Sequence, residues 1–176
     1  VGNGSNLLVD DDGIRGAVIK TSRLDSVCVS GNEIVAGAGA LNSKVANVAL
    51  EASLTGMEFA HGIPGSIGGA VFMNAGAYGG TFADIVSETT YVDKNGDIKI
   101  VKGKEHDFGY RHSCFASSDI ICETKLILRD GDREKIKSEM QILIEKRKTS
   151  QPLEFPSAGS FFKRPEGYFA GKLIQD

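Results

Sequence analysis

The pattern of hydrophobic and polar positions predicts a chain that is mostly antiparallel β structure. Short apolar runs bounded by Gly, Asn and Asp are typical of strands joined by tight turns. We predict a short buried strand at Gly16–Lys20 and further strands at 27–29, 34–36, 86–92, 98–101 and 120–128. The pairs Gly31-Asn32 and Asn95-Gly96 separate consecutive runs and tolerate positive φ, so they predict two β-hairpins.

Helical spacing is found in two segments. The first runs from Leu41 to Thr55, with Asn42 or Ser43 as the candidate cap and Gly56 as the stop. The second runs from Asp132 to Lys148 and is highly charged, with a single apolar stripe, which predicts an amphipathic helix that leaves the first domain. This change in composition divides the chain into a first domain at 1–131 and a second unit at 132–176.

The stretch from Gly62 to Gly80 is the most unusual part of the sequence, because seven of its nineteen residues are glycine and none is charged. Glycine permits positive φ and lets a ligand approach the main chain, whose N–H groups can then converge on an anion. The alternative, a buried turn-rich loop, needs fewer glycines. We therefore expect a large ligand against this backbone.

A second glycine-rich stretch, Val1 to Val9, opens the chain, and two such loops suggest a dinucleotide. Neither loop has the G-x-G-x-x-G spacing of a Rossmann fold, and the G-K-[ST] of a P-loop is missing. The sequence therefore predicts a different kind of phosphate cradle.

Composition narrows the class of protein. The 176 residues are 41% hydrophobic and 24% charged, which suffices for a core, and the net charge of −3 argues against a nucleic-acid partner. No apolar run approaches the roughly 20 residues that span a bilayer, so we expect no membrane partner. Three cysteines without a C-x-x-C pair suit a reducing cytoplasm, and the three histidines lack zinc-like spacing, so we expect no metal.

Four motifs occur together in this chain: Gly4-Ser-Asn-Leu-Leu8, Gly62–Ala70 followed by Asn74–Gly79, Tyr110-Arg-His-Ser113, and Gly159-Ser-Phe-Phe-Lys163. In this order and spacing the sequence resembles the UDP-N-acetylenolpyruvoylglucosamine reductases (MurB). The resemblance covers the whole chain. The short connection from Arg111 to Ser160 is similar to the shorter, type II branch of that family.

The resemblance implies an α+β fold, namely an FAD-binding domain of the vanillyl-alcohol-oxidase (PCMH) type followed by the start of a substrate-binding domain. It also implies that more of the flavin domain precedes Val1 and that most of the substrate domain, with a catalytic glutamate, follows Asp176. The FAD-binding residues would be Gly2, Asn3, Gly4, Ser5, Asn6, Pro64, Gly65, Ser66, Gly68, Gly69, Asn74, Gly76, Tyr78 and Gly79.

The family reaction reduces an enolpyruvyl ether with hydride that passes from NADPH through FAD. The resemblance implies that Arg111 holds the substrate carboxylate, which suits a planar, permanently charged guanidinium, and that Ser160 donates a proton. Tyr110, Lys163 and Arg164 would contact the UDP-sugar substrate. Arg147 and Lys148 are further candidates for its diphosphate, although a solvated charge run explains them equally well.

Two other functions stay open at this stage. Another PCMH-type flavin oxidase or dehydrogenase would share the glycine loops without Gly159-Ser-Phe-Phe, and the chain could equally be a non-catalytic FAD-binding fragment. The sequence assigns no task to His112, and Cys114 has no base partner that would make it a nucleophile. The sequence also leaves the oligomeric state undetermined.

Overall fold

The computed structural model describes residues 1–151, 155, 159 and 162–175. The strands in this part of the chain are β1 Val27–Ser30, β2 Glu33–Gly37, β3 Leu54–Thr55, β4 Gly76–Ala77, β5 Gly80–Thr81, β6 Val86–Val92, β7 Ile98–Lys102, β8 Ile120–Ile127 and β9 Arg129–Asp130. The α-helices are α1 Asn42–Glu51, α2 Ile67–Phe72, α3 Arg133–Ser150 and α4 Ala170–Gln175. Short 3₁₀ turns lie at Glu58–Ala60, Phe82–Asp84 and Gly103–His106.

A five-stranded antiparallel sheet in the order β1-β2-β8-β6-β7 forms the frame of the molecule. Both predicted hairpins are confirmed, since β1 pairs with β2 across Gly31-Asn32 and β6 pairs with β7 around Asn95-Gly96. The predicted strand at 120–128 is also confirmed as β8, the centre of the sheet. The mixture of this sheet with separate helices is the predicted α+β class.

One face of the sheet is the floor of the hydrophobic core. Ile34 and Ala36 of β2 lie opposite Leu126 and Thr124 of β8, and all four side chains are buried. Helix α2 packs on β2 and β8, while α1 contributes Val45, Ala46 and Ala49 to the same core. The alternation of strand side chains therefore sets which face the helices cover.

The opposite face of the sheet carries a row of charges. Glu88 of β6 is paired directly with Lys125 of β8 and with Lys102 of β7, to which it is bonded (2.9 Å). Glu33 of β2 is a diagonal neighbour of Lys125, at 3.8 Å. The hydrogen bond from Lys102 lowers the pKa of the Glu88 carboxyl. Opposite charges on directly paired positions favour this register of the strands.

Three sequence-based predictions about secondary structure are wrong. The segment Gly16–Lys20 is exposed and forms no strand. Its Ile19 O accepts a hydrogen bond from the Val1 amino group (2.6 Å), and the next residue, Thr21, donates its N–H to Val1 O (2.9 Å). The first helix ends at Glu51 rather than Thr55, because Leu54 and Thr55 pair with β9 instead. Its cap is Leu41 without a side-chain bond, so neither Asn42 nor Ser43 caps it.

The charged helix is confirmed as α3, which begins after Asp132, whose carboxylate accepts from Lys135 N (2.9 Å). The first half of α3 packs on the first domain, because Ile136 and Met140 are buried in the same hydrophobic core. The domain boundary at residue 132 stays a prediction. Among the described helices, none is both long and apolar enough to cross a membrane.

Candidate functional site

The two glycine-rich stretches meet in space. Ser5 Oγ donates a hydrogen bond to Pro64 O (3.1 Å). Gly65 has φ +133°, and a Cβ placed there would lie 3.1 Å from Ser5 Oγ, while a Cβ on Gly2 would overlap Ser66 Oγ. The loop at 2–6 and the turn at 64–69 therefore form one junction that side chains at Gly2 and Gly65 would disrupt.

Two buried polar atoms at this junction lack a hydrogen-bond partner within the described part of the chain. They are Ser66 Oγ and Asn42 Oδ1, from residues that are 3% and 1% exposed. Asn42 is fixed from its other side, because its main-chain N–H donates to Gly65 O (3.1 Å) and its Nδ2 to Ile63 O (3.3 Å). Buried polar atoms are rarely left unpaired.

This arrangement fits a nucleotide cofactor. The Ser66 hydroxyl is a donor for a phosphate oxygen, and Asn42 Oδ1 is an acceptor for a hydroxyl or amine. Glycine at positions 2 and 65 lets the two loops approach each other closely around these polar atoms. Asn42 was not among the predicted FAD-binding residues, because the sequence indicated only a helix cap there; its proximity to Gly65 comes from the fold.

The two glycines inside α2 have different environments. A Cβ on Gly68 would lie 2.8 Å from Ala38 Cβ, and its N–H donates to Ala38 O (2.9 Å), so close packing of the helix on the turn after β2 explains this glycine. Gly69 is exposed, and a Cβ there would have its nearest neighbour, Ser66 Oγ, at 3.8 Å. Of the pair, Gly69 is the one that a ligand could approach.

The end of the glycine-rich stretch is a small hairpin of β4 and β5. Asn74, at φ +40° and 8% exposed, donates to Gly109 O (3.0 Å) and accepts from Ala83 N (2.9 Å), so its amide holds the scaffold. Gly76 packs within the hairpin, where a Cβ would lie 2.7 Å from Gly80 O. Tyr78 and Gly79 are exposed at its tip with φ of +54° and +90°. Among these residues, only the tip offers free groups to a ligand.

Arg111 lies at the tip of a tight turn. Gly109 and His112 exchange two backbone hydrogen bonds (3.1 and 3.3 Å), and Arg111 between them has φ +55°. Its guanidinium lies 5.3 Å from the centre of the Tyr110 ring and is exposed. Ser113 Oγ donates to Phe72 O (2.6 Å). This bond and the Asn74–Gly109 bond fix the turn beside the C-terminal end of α2.

Two of the predicted substrate-binding residues lie together, because Arg164 N donates to the Tyr110 hydroxyl (3.3 Å). The Arg164 guanidinium lies 4.0 Å from the Phe169 ring centre and donates to Tyr168 O (3.2 Å). Lys163 is exposed. The proposed proton donor, Ser160, lies outside the described residues, so its role stays a prediction.

The two basic residues of α3 that are candidates for contacting the substrate diphosphate, Arg147 and Lys148, have different environments. Lys148 forms an ion pair with Glu145 (2.7 Å) on the surface, as a solvated charge run would. Arg147 is half-buried, and its Nη1 lies 3.9 Å from the position of a Cβ on Gly62. Arg147 therefore reaches the start of the glycine-rich stretch.

Cys114 and His112, to which the sequence assigned no role, follow Arg111 closely in the chain. Burial and nearby acidic side chains raise the pKa of the Cys114 thiol, which keeps it protonated. His112 lies 3.2 Å from Asp107 at the surface. In the ranges that the structure describes, no three His, Cys, Asp or Glu side chains are grouped as metal ligands.

Comparison with known proteins gives the class of this protein. Residues 1–102 match the family described as FAD binding domain, and the chain therefore belongs to the FAD-binding domain family. The resemblance to UDP-N-acetylenolpyruvoylglucosamine reductases is also confirmed. The chain is 51% identical over 177 aligned positions to the reductase of Clostridium novyi (strain NT) and 50% identical to that of Pediococcus pentosaceus.

Solved structures agree with this assignment. The crystal structure of the Thermus caldophilus reductase (MurB) matches with a TM-score of 0.89 at 36% identity, covering 99% of this chain and 64% of that one. A variant of Phl p 4, described as a glucose oxidase, matches with a TM-score of 0.50 at 19% identity, which supports the PCMH-type fold alone. The chain spans 58% of the Clostridium novyi reductase.

Proposed function

We propose that this chain is the FAD-binding part of a reductase that converts UDP-N-acetylglucosamine enolpyruvate to UDP-N-acetylmuramate with NADPH. The observation that carries the proposal is the junction of the Gly2–Asn6 loop with the Pro64–Gly69 turn around two unpaired buried polar atoms. Membership of the FAD-binding family supports the cofactor. Similarity to the reductases over the entire chain supports the substrate and favours this reaction over that of another flavin oxidase.

In this proposal the junction holds the diphosphate of FAD. Ser66 donates to a phosphate oxygen and Asn42 accepts from the cofactor, while the exposed Tyr78–Gly79 tip would add a further contact to it. When bound, FAD supplies hydride transfer from NADPH to the enolpyruvyl double bond.

Arg111 acts on the substrate in this proposal. Hydride addition pushes negative charge toward the substrate carboxylate, and a fixed guanidinium stabilises such charge by paired hydrogen bonds. The turn that carries Arg111 is held from two sides, by Asn74 and by Ser113, so the cation is pre-positioned. Tyr110 packs against the same guanidinium and orients it.

Ser160 supplies the proton to the carbon beside the one that receives hydride. A hydroxyl is a weak acid, so positive charge must stabilise the oxygen that remains, and Lys163 and Arg164 follow closely in the sequence. Lys163, Arg164 and Arg147 are also the cations that would contact the substrate diphosphate. Lys148, which is already paired with Glu145, is the weaker candidate.

The proposed reaction belongs to the synthesis of peptidoglycan precursors, and through the cell wall it contributes to cell shape and division. A cytoplasmic location agrees with three cysteines that form no disulfide in the structure. The second unit, from residue 132 onward, is the start of the substrate-binding domain in this proposal.

The test measures the two half-reactions separately in a chain extended to the length of its relatives. We expect NADPH to reduce the bound flavin and the enolpyruvyl ether to reoxidise it. Ser160→Ala should leave flavin reduction unchanged and slow reoxidation strongly, because the proton is needed only in the second half-reaction. If the variant retains both rates, Ser160 is not the proton donor; if the wild-type protein does not respond to the enolpyruvyl ether, the substrate assignment is wrong.

A further inference from the structure

His106 is a buried histidine that the proposed reaction does not use. Its side chain is enclosed, and its ring stacks on Phe108 at 4.9 Å and meets Phe115 edge-on at 6.1 Å between ring centres. Both ring nitrogens have a partner, because Nδ1 lies 2.9 Å from Gly103 O and Nε2 lies 2.9 Å from Thr89 Oγ1. A carbonyl oxygen only accepts, so Nδ1 donates to Gly103, and Nε2 of the neutral ring accepts from the Thr89 hydroxyl.

Thr89 ties this histidine to the middle of the sheet. Thr89 is a fully buried residue of β6, paired with Val101 of β7 on one side and with Thr124 of β8 on the other. Its hydroxyl donates to His106, whereas the buried Thr124 Oγ1 has no partner among the described residues. Because core strands are the most stable part of a fold, the bond to Thr89 gives His106 a fixed position.

His106 holds both ends of the loop at 107–113. Cys114, which follows the loop, donates its N–H to His106 O (2.8 Å). The imidazole ring contacts Phe108 near the start of the loop and Phe115 beyond its end. The main chain and the side chain of one residue therefore fix where this loop begins and where it ends.

The loop needs such support because its backbone is strained at two residues. Asp107, next to His106, has φ +47°, and Arg111 has φ +55°, in the left-handed region that residues with a Cβ adopt at a cost. Strained residues keep their conformation only where the surrounding structure fixes it. If the ends of the loop move, Arg111 can relax, and its guanidinium leaves the position in which it would hold the substrate carboxylate.

We propose that His106, held by Thr89, is a positioning residue for Arg111. The inference rests on the proposed function for the role of Arg111, but it concerns buried side chains that do not touch the substrate. His106 and Thr89 keep the guanidinium at the place where negative charge develops during hydride transfer. Their loss should therefore slow the step that uses Arg111 and leave the other half-reaction unchanged.

The experiment measures both half-reactions in a chain extended to the length of its relatives. Thr89→Val removes the hydroxyl and keeps the shape of the side chain. It should slow reoxidation of the flavin at saturating enolpyruvyl ether by about threefold to tenfold, the effect of roughly one hydrogen bond. Reduction of the flavin by NADPH and the flavin content should stay unchanged. Thr89→Ser keeps the hydroxyl and should restore most of the reoxidation rate.

Two controls distinguish positioning from a general loss of packing. Thr124→Val makes the same change on the neighbouring strand, where the hydroxyl is unpaired, and should leave the reoxidation rate unchanged. In an Arg111→Lys background, Thr89→Val should have little further effect, because changes that act through one group are not additive. Urea unfolding without flavin checks that each variant folds. If Thr89→Val does not fold, His106→Asn replaces it, since asparagine keeps a donor toward Gly103 and loses the bond to Thr89.

The outcomes separate this inference from the proposed function. A normal reoxidation rate in Thr89→Val, equal slowing in Thr124→Val, or slowing of both half-reactions would overturn the positioning role. An undiminished effect of Thr89→Val in the Arg111→Lys background would also overturn it. All of these results leave the proposed function intact. If the wild-type chain does not react with the enolpyruvyl ether, or if Arg111→Lys reacts normally, the proposed function is wrong at the substrate or at Arg111.

Discussion

Substituting the two neighbouring glycines of α2 should change stability in opposite directions. Gly68→Ala places a methyl group 2.8 Å from Ala38 Cβ and 3.1 Å from Ala38 O. The backbone at Ala38 cannot move away easily, because its N–H donates to Cys122 O of β8 (2.8 Å). Gly69→Ala places the same group on the exposed side of the same helix, with its nearest neighbour at 3.8 Å. The pair keeps chemistry and helix position nearly constant and changes only the packing.

The magnitudes follow from these contacts. Overpacking of a tight core costs about 1–3 kcal/mol, and stretching the Gly68 N–Ala38 O bond adds roughly 0.5–1.5 kcal/mol. Replacing glycine by alanine in a helix gains about 1 kcal/mol in both variants. We expect Gly68→Ala to lower the free energy of unfolding by about 0.5–3.5 kcal/mol and Gly69→Ala to raise it by about 0.5–1 kcal/mol.

The assay is urea unfolding followed by circular dichroism, without flavin so that ligand binding does not add to stability. The midpoint of Gly68→Ala should fall and that of Gly69→Ala should rise, with similar slopes. If Gly68→Ala is as stable as the wild type, the close contact with Ala38 does not explain this glycine. The reasoning also fails if both variants change stability in the same direction.

Three further predictions concern the scaffold and the site. Asn74→Ala should lower the free energy of unfolding by about 2–4 kcal/mol, because it removes two hydrogen bonds and places alanine at positive φ. Asn74→Gly also removes the hydrogen bonds but should lose about 1 kcal/mol less, because glycine adopts positive φ without strain. Equal losses for the two variants in urea unfolding would show that backbone strain does not contribute. In a chain extended to the length of its relatives, Arg111→Lys should slow reoxidation of the flavin by the enolpyruvyl ether by roughly 100-fold to 1,000-fold, with little loss of bound flavin. Stopped-flow absorbance measures the reoxidation rate. Loss of flavin from the variant together with a normal reoxidation rate would show that Arg111 has a structural role. The hydrogen bond from Lys99 lowers the pKa of the Asp93 carboxyl from 3.8 to about 2. The stabilisation of the folded state by the charged carboxylate is therefore present above pH 4 and is lost as the pH falls toward 2. Asp93→Asn should reduce this part of the pH dependence of the free energy of unfolding, and an unchanged pH profile would contradict the prediction.

The sheet could be predicted because its signals are local. Gly31-Asn32 and Asn95-Gly96 set two hairpins, and the apolar run at 120–128 is long enough to mark the central strand β8. Predictions failed where a distant partner decides the structure. Leu54 and Thr55 continue a helical pattern in the sequence, yet they pair with β9, more than 70 residues later. Gly16–Lys20 has strand-like composition but lacks a neighbouring strand among the described residues.

The candidate site shows the same division. The glycine-rich stretches were visible in the sequence, and the structure brings them together at Ser5 and Pro64. The unpaired Asn42 Oδ1 was not visible, since it depends on where α1 begins relative to the loops. The sequence also could not distinguish Gly68, which packs on Ala38, from the exposed Gly69.

The most direct test of the central claim is to identify the nucleotide that the Gly2–Asn6 and Pro64–Gly69 junction holds. The protein, extended to the length of its relatives, is purified and its flavin absorption spectrum is recorded; the nucleotide is then released and identified by mass spectrometry. We predict stoichiometric FAD in the wild type and a clear loss of it in Ser66→Ala, which removes the unpaired hydroxyl without adding volume beside Gly2. Absence of flavin from the wild type after incubation with FAD, or full retention in Ser66→Ala, would contradict the account.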